Sequence, residues 1–226
     1  MKKLFTLLAL ICLFNMSAQI STGNTNNSGT YSSAIGFQTS AVGDYSTAMG
    51  YNTTSSASYC TAMGYATTAS GSTSTAMGVN TTASGDGSTS LGNQTIASAN
   101  NSSAMGASTT ASGEVSTAMG YATTANGSSS TSMGLSTTAN GEVSIAMGLG
   151  TTANGSVSVA MGRNTTASDY GSLVIGQYNS SGSTTTTSST AFNTSNTAFV
   201  IGNGTVGNLS DACLLYTSDA ADDDAC

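Results

Sequence analysis

The 226-residue chain has no histidine, three lysines and arginines together, four cysteines and 6% aromatic residues. Each shortage removes a class of function. With no histidine and widely spread carboxylates, none of the many serines has a base to activate it, so no catalytic set can be assembled. No glycine-rich phosphate loop follows a strand, and no calcium-binding nonapeptide appears. The chain reads as a non-enzyme that takes no cofactor and no metal. Lys2 and Lys3 stand at the extreme N-terminus, which leaves Arg163 as the only cation of residues 19–210. Against it stand Asp44, Asp86, Glu114, Glu142 and Asp169, so five negatives minus one positive give −4. An acidic surface without a basic patch argues against nucleic acid and against anionic membrane. Cys60 is the only cysteine of the same stretch, which excludes a disulfide within it and reads as a buried free thiol.

Long apolar runs are also scarce. The one candidate is Leu4 to Phe14, preceded by Lys2 and Lys3 and followed by the small residues Ser17 and Ala18. That order reads as a secretory signal peptide over residues 1–18, because a bilayer span needs about 20 apolar residues. Residues 19–30 form a lead-in or cap. At the other end, residues 211–226 change composition abruptly and hold half of the acidic residues. From Cys213 the stretch CLLYTSDAAD resembles a translated transposon adapter, so 211–226 reads as a non-native tail.

What fills the space between is repetition. Counting a fourteen-residue unit from Tyr31 gives eleven units over residues 31–184 without a slip in length. Position 6 is always glycine, from Gly36 to Gly176. Position 5 is Ile35, Met49, Met63, Met77, Leu91, Met105, Met119, Met133, Met147, Met161 and Ile175. Position 2 is serine except at Cys60, and position 4 is mostly alanine. A large apolar side chain held in one register is the mark of a stacked solenoid. Each unit offers two candidate strands, at positions 2–6 and about 8–11, with a tight turn at position 13. Asn126-Gly127, Asn140-Gly141 and Asn154-Gly155 suit such a turn because both residues tolerate positive φ. The fold class expected is all-β, a β-solenoid of 14-residue coils.

Alternation places positions 2, 4 and 6 on one face and positions 3, 5 and 7 on the other. Periodicity alone leaves open whether the position-5 row faces the protomer core or a neighbour. One large apolar residue per coil offsets little chain entropy, so several copies are expected to associate along that row. Residues 185–210 form an irregular Ser/Thr-rich segment with one partial repeat, Asn196 to Gly202.

The unit resembles the Hep/Hag head repeat of YadA-like trimeric autotransporter adhesins. Ser46, Ala48, Met49 and Gly50 match its first half, with Thr53, Ser55 and Ala57 in the second; Cys60, Ala62, Met63, Gly64, Thr67, Ala69 and Gly71 follow suit. The resemblance implies a left-handed parallel β-roll in a homotrimer at the tip of a surface fibre. It also implies export to the cell surface, the outer membrane or the extracellular space, with membrane contact only through a C-terminal anchor beyond this sequence. The function expected is adhesion to host matrix, surfaces or other cells. A structural spacer is the alternative, and an ice-binding solenoid a third reading, raised by paired threonines at positions 9 and 10. Position 1 carries Tyr31, Tyr45 and Tyr59, and position 7 carries Phe37, Tyr51 and Tyr65. Tyr45, Tyr51, Tyr59 and Tyr65 are therefore the candidate ligand contacts, because tyrosine offers rigid apolar area with a hydroxyl.

Overall fold

The computed structural model describes residues 23–180, 188–193 and 195–216. The expected signal peptide, residues 1–18, lies outside the described residues, as does the tail from residue 217 onward.

Each repeat forms one coil of a parallel β-solenoid, and the described residues contain no helix. A five-residue strand runs over positions 3–7, from Ser33–Phe37 in the first coil to Leu173–Gln177 in the last. A two-residue strand covers positions 10–11, from Ser40–Ala41 to Thr166–Ala167. Asn26–Asn27 adds a short strand ahead of the first coil. The long strands stack into one sheet of 13 strands and the short ones into a second sheet of 11. Across the eleven coils every strand residue pairs with its counterpart fourteen places away: Met105 with Met119, and Met119 with Met133.

The strands are shifted from the expected 2–6 and 8–11, and the cause lies in the backbone. Position 8 sits in the left-handed region in every coil, with φ between 46° and 65° from Gln38 to Tyr178. That conformation turns the chain out of the long strand. The second corner closes through a bond such as Ser46 N–H to the Gly43 carbonyl (3.3 Å). Its third residue, position 1, also has positive φ, even where it is Val115, Val143 or Val157. The Asn-Gly pairs thus serve a different purpose from the one expected, since neither residue of the three pairs has positive φ. Their glycines are there for space. A Cβ on Gly127 would stand 1.9 Å from the Gly141 carbonyl oxygen of the next coil. Their asparagines form a ladder instead, Asn126 Nδ2 to Asn140 Oδ1 and Asn140 Nδ2 to Asn154 Oδ1, each 2.8 Å.

The interior is narrow. Positions 2, 4, 9 and 11 point inward, and they are serine, alanine, threonine and alanine in most coils. Threonine is as large a side chain as the coils bury fully until Val174 in the eleventh. Position 5 is not part of this core. Ile35 through Ile175 are half-buried or exposed, with Met77 at 41% and Met161 at 40%. The physical reason is the pleat: with position 4 committed inward, its neighbour must face out. Most inward threonines at position 9 leave Oγ1 unpaired, Thr123 among them. Where position 4 is serine, the hydroxyl is matched: Ser90 to Thr95 (2.7 Å) and Ser132 to Thr137 (2.8 Å).

After the eleventh coil the long sheet continues through Thr197–Asn203, in parallel register with Leu173–Gln177, so the partial repeat does form one more strand. Asp211–Tyr216 then pairs antiparallel to it. The parallel stack thus ends at Thr197–Asn203, and the antiparallel strand that follows lies within the segment expected to be a non-native tail.

Position-6 glycine is required twice over. Its φ is near +127° through most coils, and a Cβ on Gly120 would lie 2.0 Å from the Gly134 carbonyl oxygen. Gly120→Ala should therefore cost about 3 kcal/mol or more. Gly171 has φ +68° but nothing within 4 Å of a Cβ. Gly171→Asn should cost less than about 1 kcal/mol, because Asn tolerates that conformation. Urea melts of both variants check the contrast; equal losses would remove the close-approach account.

Candidate functional surface

The described residues enclose no pocket and hold no cluster of side chains able to bind a metal. Whatever the chain recognises must be met by its faces. The long sheet presents positions 3, 5 and 7 outward. Position 5 supplies the methionine row. Position 3 is serine or threonine until Ile145, Val159 and Leu173 replace it. Position 7 carries the exposed Phe37, Tyr51, Tyr65, Val79, Tyr121, Leu135 and Leu149, with Asn93 and Ala107 between Val79 and Tyr121 and with Arg163 and Gln177 at its end. An apolar strip this long on a thin coil is what a contact between macromolecules requires.

Two aromatic ladders flank this face in the first three coils. At position 1, the rings of Tyr31 and Tyr45 stack at 5.2 Å and those of Tyr45 and Tyr59 at 5.0 Å. At position 7, Phe37 and Tyr51 stack at 5.5 Å and Tyr51 and Tyr65 at 5.2 Å. The fourteen-residue register alone produces the spacing, since ring sits over ring at the distance between parallel strands. All four candidate tyrosines are thus brought together, though on two separate rows: Tyr45 and Tyr59 at a turn, Tyr51 and Tyr65 on the sheet face. Stacking covers the ring faces inside each ladder, so a partner meets edges and hydroxyls. Position 1 also holds its tyrosines at φ 56–60°. For a bulky side chain that conformation costs about 1 kcal/mol or more, which stacking offsets in part.

The threonine rows separate as well. Position 9 is buried throughout, whereas position 10 lies on the outer face of the short sheet. Ile96 interrupts the outer row and is 42% exposed. A paired flat array of threonines is therefore absent from the described surface.

Two of the four acidic residues at position 14, Asp44 and Asp86, bond the backbone of the coil before. Asp44 Oδ1 accepts from the Thr30 amide and Asp86 Oδ1 from the Ser72 amide, one coil back, each at 2.8 Å. Asn100 treats the Asp86 amide likewise (3.0 Å). This backbone role went unread in the sequence, although an Asp or Asn recurring at one register position was its visible trace. Arg163, at position 7 of the tenth coil, lies over the Tyr178 ring, 5.4 Å from its centroid.

Cys60 takes the place of the inward serine. It donates to the Ala57 carbonyl (2.8 Å), as Ser102 does to Ala99 and Ser144 to Gly141. Burial pushes its thiol above the ordinary 9.0. A folded state that disfavours the thiolate keeps this contribution in full below pH 9 and loses it as the pH rises beyond. Cys60→Ser should therefore stay within about 1 kcal/mol of the parent at pH 7 and gain on it between pH 9 and 10. Urea midpoints at both pH values test this, and a difference independent of pH would contradict it.

The model of the YadA head domain repeat, two copies long, matches the chain in overlapping segments over residues 28–53 and 56–179. A search of curated proteins gave no match. The match spans more than half of the chain, which belongs to the YadA head domain repeat family. This family is of the adhesin-type surface fibre head kind.

Proposed function

We propose that this member of the YadA head family is the adhesive head of an exported surface fibre, assembled as a homotrimer along the position-5 row of the long sheet, which leaves the position-7 margin open. The observation that carries the reading is the outward methionine row. Each coil puts its large apolar side chains on the outside and fills the inside with alanine, serine and threonine, until Val174 in the eleventh. That distribution is wasteful for a lone solenoid and economical for one whose apolar strip is covered by sister chains. The ligand is another cell, a matrix component or another surface, met by the tyrosine ladders of the first three coils. Export to the cell surface, the outer membrane or the extracellular space follows from the same reading, and the chain works without catalysis.

The confinement of both ladders to the first three coils favours a second role for the rest. Later coils repeat a nearly constant outline, which suits a spacer that carries the aromatic end outward. Ice binding finds no support in a surface whose outward threonines, at positions 3 and 10, lie on different sheets in interrupted rows.

Two variants test the reading together. Asp at Met119, Met133 and Met147 places charges on the covering face but not in the coil interior. Far-UV circular dichroism should keep its sheet signal while light scattering falls from trimer to monomer, because unpaired charges at a closed interface cost several kcal/mol. Serine at Tyr45, Tyr51, Tyr59 and Tyr65 should leave the trimer intact and abolish adhesion to matrix proteins, glycans and cells. A parent chain that is a stable monomer would remove the assembly, and undiminished adhesion of the serine variant would remove the ladders from recognition.

A further inference from the structure

The two sheets do not end at the same coil. Within the stack, the position-10 amide of each coil donates to the position-9 carbonyl of the next: Thr138 to Thr151 at 2.9 Å, Thr152 to Thr165 at 2.8 Å. Thr166–Ala167 is the last strand of the short sheet among the described residues, none of which forms a further strand beside it. A strand in that position normally exposes a row of unpaired donors and acceptors, which is a template for another chain.

The next position-9 residue is Asn179, and it is the one coil of eleven where that position is not threonine. Its side chain, 4% exposed, lies against the open edge. Oδ1 accepts the Thr166 N–H at 2.8 Å, and Nδ2 donates to the Thr166 carbonyl at 3.1 Å. The carboxamide thus offers one acceptor and one donor to the same residue, as a neighbouring peptide group would. The acceptor distance equals the backbone bond that Thr152 makes one coil earlier. A threonine at 179 could not do this, because its hydroxyl sits one atom closer to the backbone and carries donor and acceptor on a single oxygen, which cannot lie opposite the Thr166 N–H and carbonyl together.

We propose that Asn179 terminates the short sheet, its side chain standing in for a twelfth strand, and that it closes this edge to strand addition by other chains. The long sheet alone then carries the chain onward, through Thr197–Asn203. The device places a stop inside a sequence whose every other unit would add another coil.

Single-residue amide exchange on the full chain tests this, with Asn179→Thr as the variant that restores the common residue. In the parent, the Thr166 amide should be protected to within about tenfold of Thr152. In Asn179→Thr, Thr166 should exchange at least ~10-fold faster, the loss of about one hydrogen bond, while Thr138 and Thr152 are unchanged. Light scattering of that variant should show species larger than the parent, growing with concentration. Asn179→Asp keeps an acceptor and should retain most of the Thr166 protection, which decides the matter should the threonine variant fold poorly. A Thr166 amide that exchanges freely in the parent overturns the proposal, as does an Asn179→Thr chain unchanged in exchange or in size.

Discussion

Backbone approach between identical residues governs this molecule. Consecutive coils are joined by hydrogen bonds from one peptide group to its neighbour a turn later, at the roughly 4.8 Å spacing of parallel strands. At position 6 the approach is so close that a Cβ would fall 1.9–2.2 Å from a carbonyl oxygen in each of the eleven coils. At most position-13 glycines the situation is the same. Once those two places are fixed, the coil can be neither longer nor shorter by a residue without moving a side chain into backbone. The unbroken count of fourteen follows from that, and so do the ladders of like on like, whether methionine, tyrosine or asparagine.

The same constraint dictates where apolar surface can go. A coil of fourteen residues has four inward positions, and opposing walls this close leave room for alanine, serine and threonine. Larger side chains are displaced to the outer face by geometry, not by polarity. The consequence is a protein turned partly inside out, with its small residues sheltered and its methionines and tyrosines outside. The described residues offer a long surface on which contact could be arranged. Function of the fibre-head kind is what this form permits.

Much of this was legible in the sequence, because a register repeated eleven times averages out local ambiguity. Gly36 to Gly176 and Met49 to Met161 announced the coil, its length and its parallel stacking. Alternation correctly put positions 3, 5 and 7 on one face, but it could not say which face was inner. That depends on coil thickness, which no single residue encodes. The strand limits were displaced because residues such as Gln38, Ala66 and Ser136 adopt positive φ without being glycine. The closed coil imposes that conformation, and local propensity gives no hint of it. Asn126, Asn140 and Asn154 looked like turn formers and proved to be ladder formers, since the same residues serve both ends and only the neighbouring coil decides. Asn179 was hidden for the opposite reason. It stands once, where the repeat fades, and its meaning lies in an edge that exists only after folding.

Coil excision probes the register most directly. Removing residues 103–116 takes out one complete fourteen-residue coil and joins positions that are already equivalent. Removing residues 103–109 takes out a long strand and sets position 2 against position 10. In a solenoid each coil contacts only its neighbours, so the first deletion should shorten the molecule, keep one cooperative transition and move the melting temperature by only a few degrees. The second should open the long sheet and either split the transition or abolish it. Thermal melts followed by circular dichroism distinguish the two. A seven-residue deletion tolerated as well as the fourteen-residue one would contradict the account, because the stack would then not depend on its register.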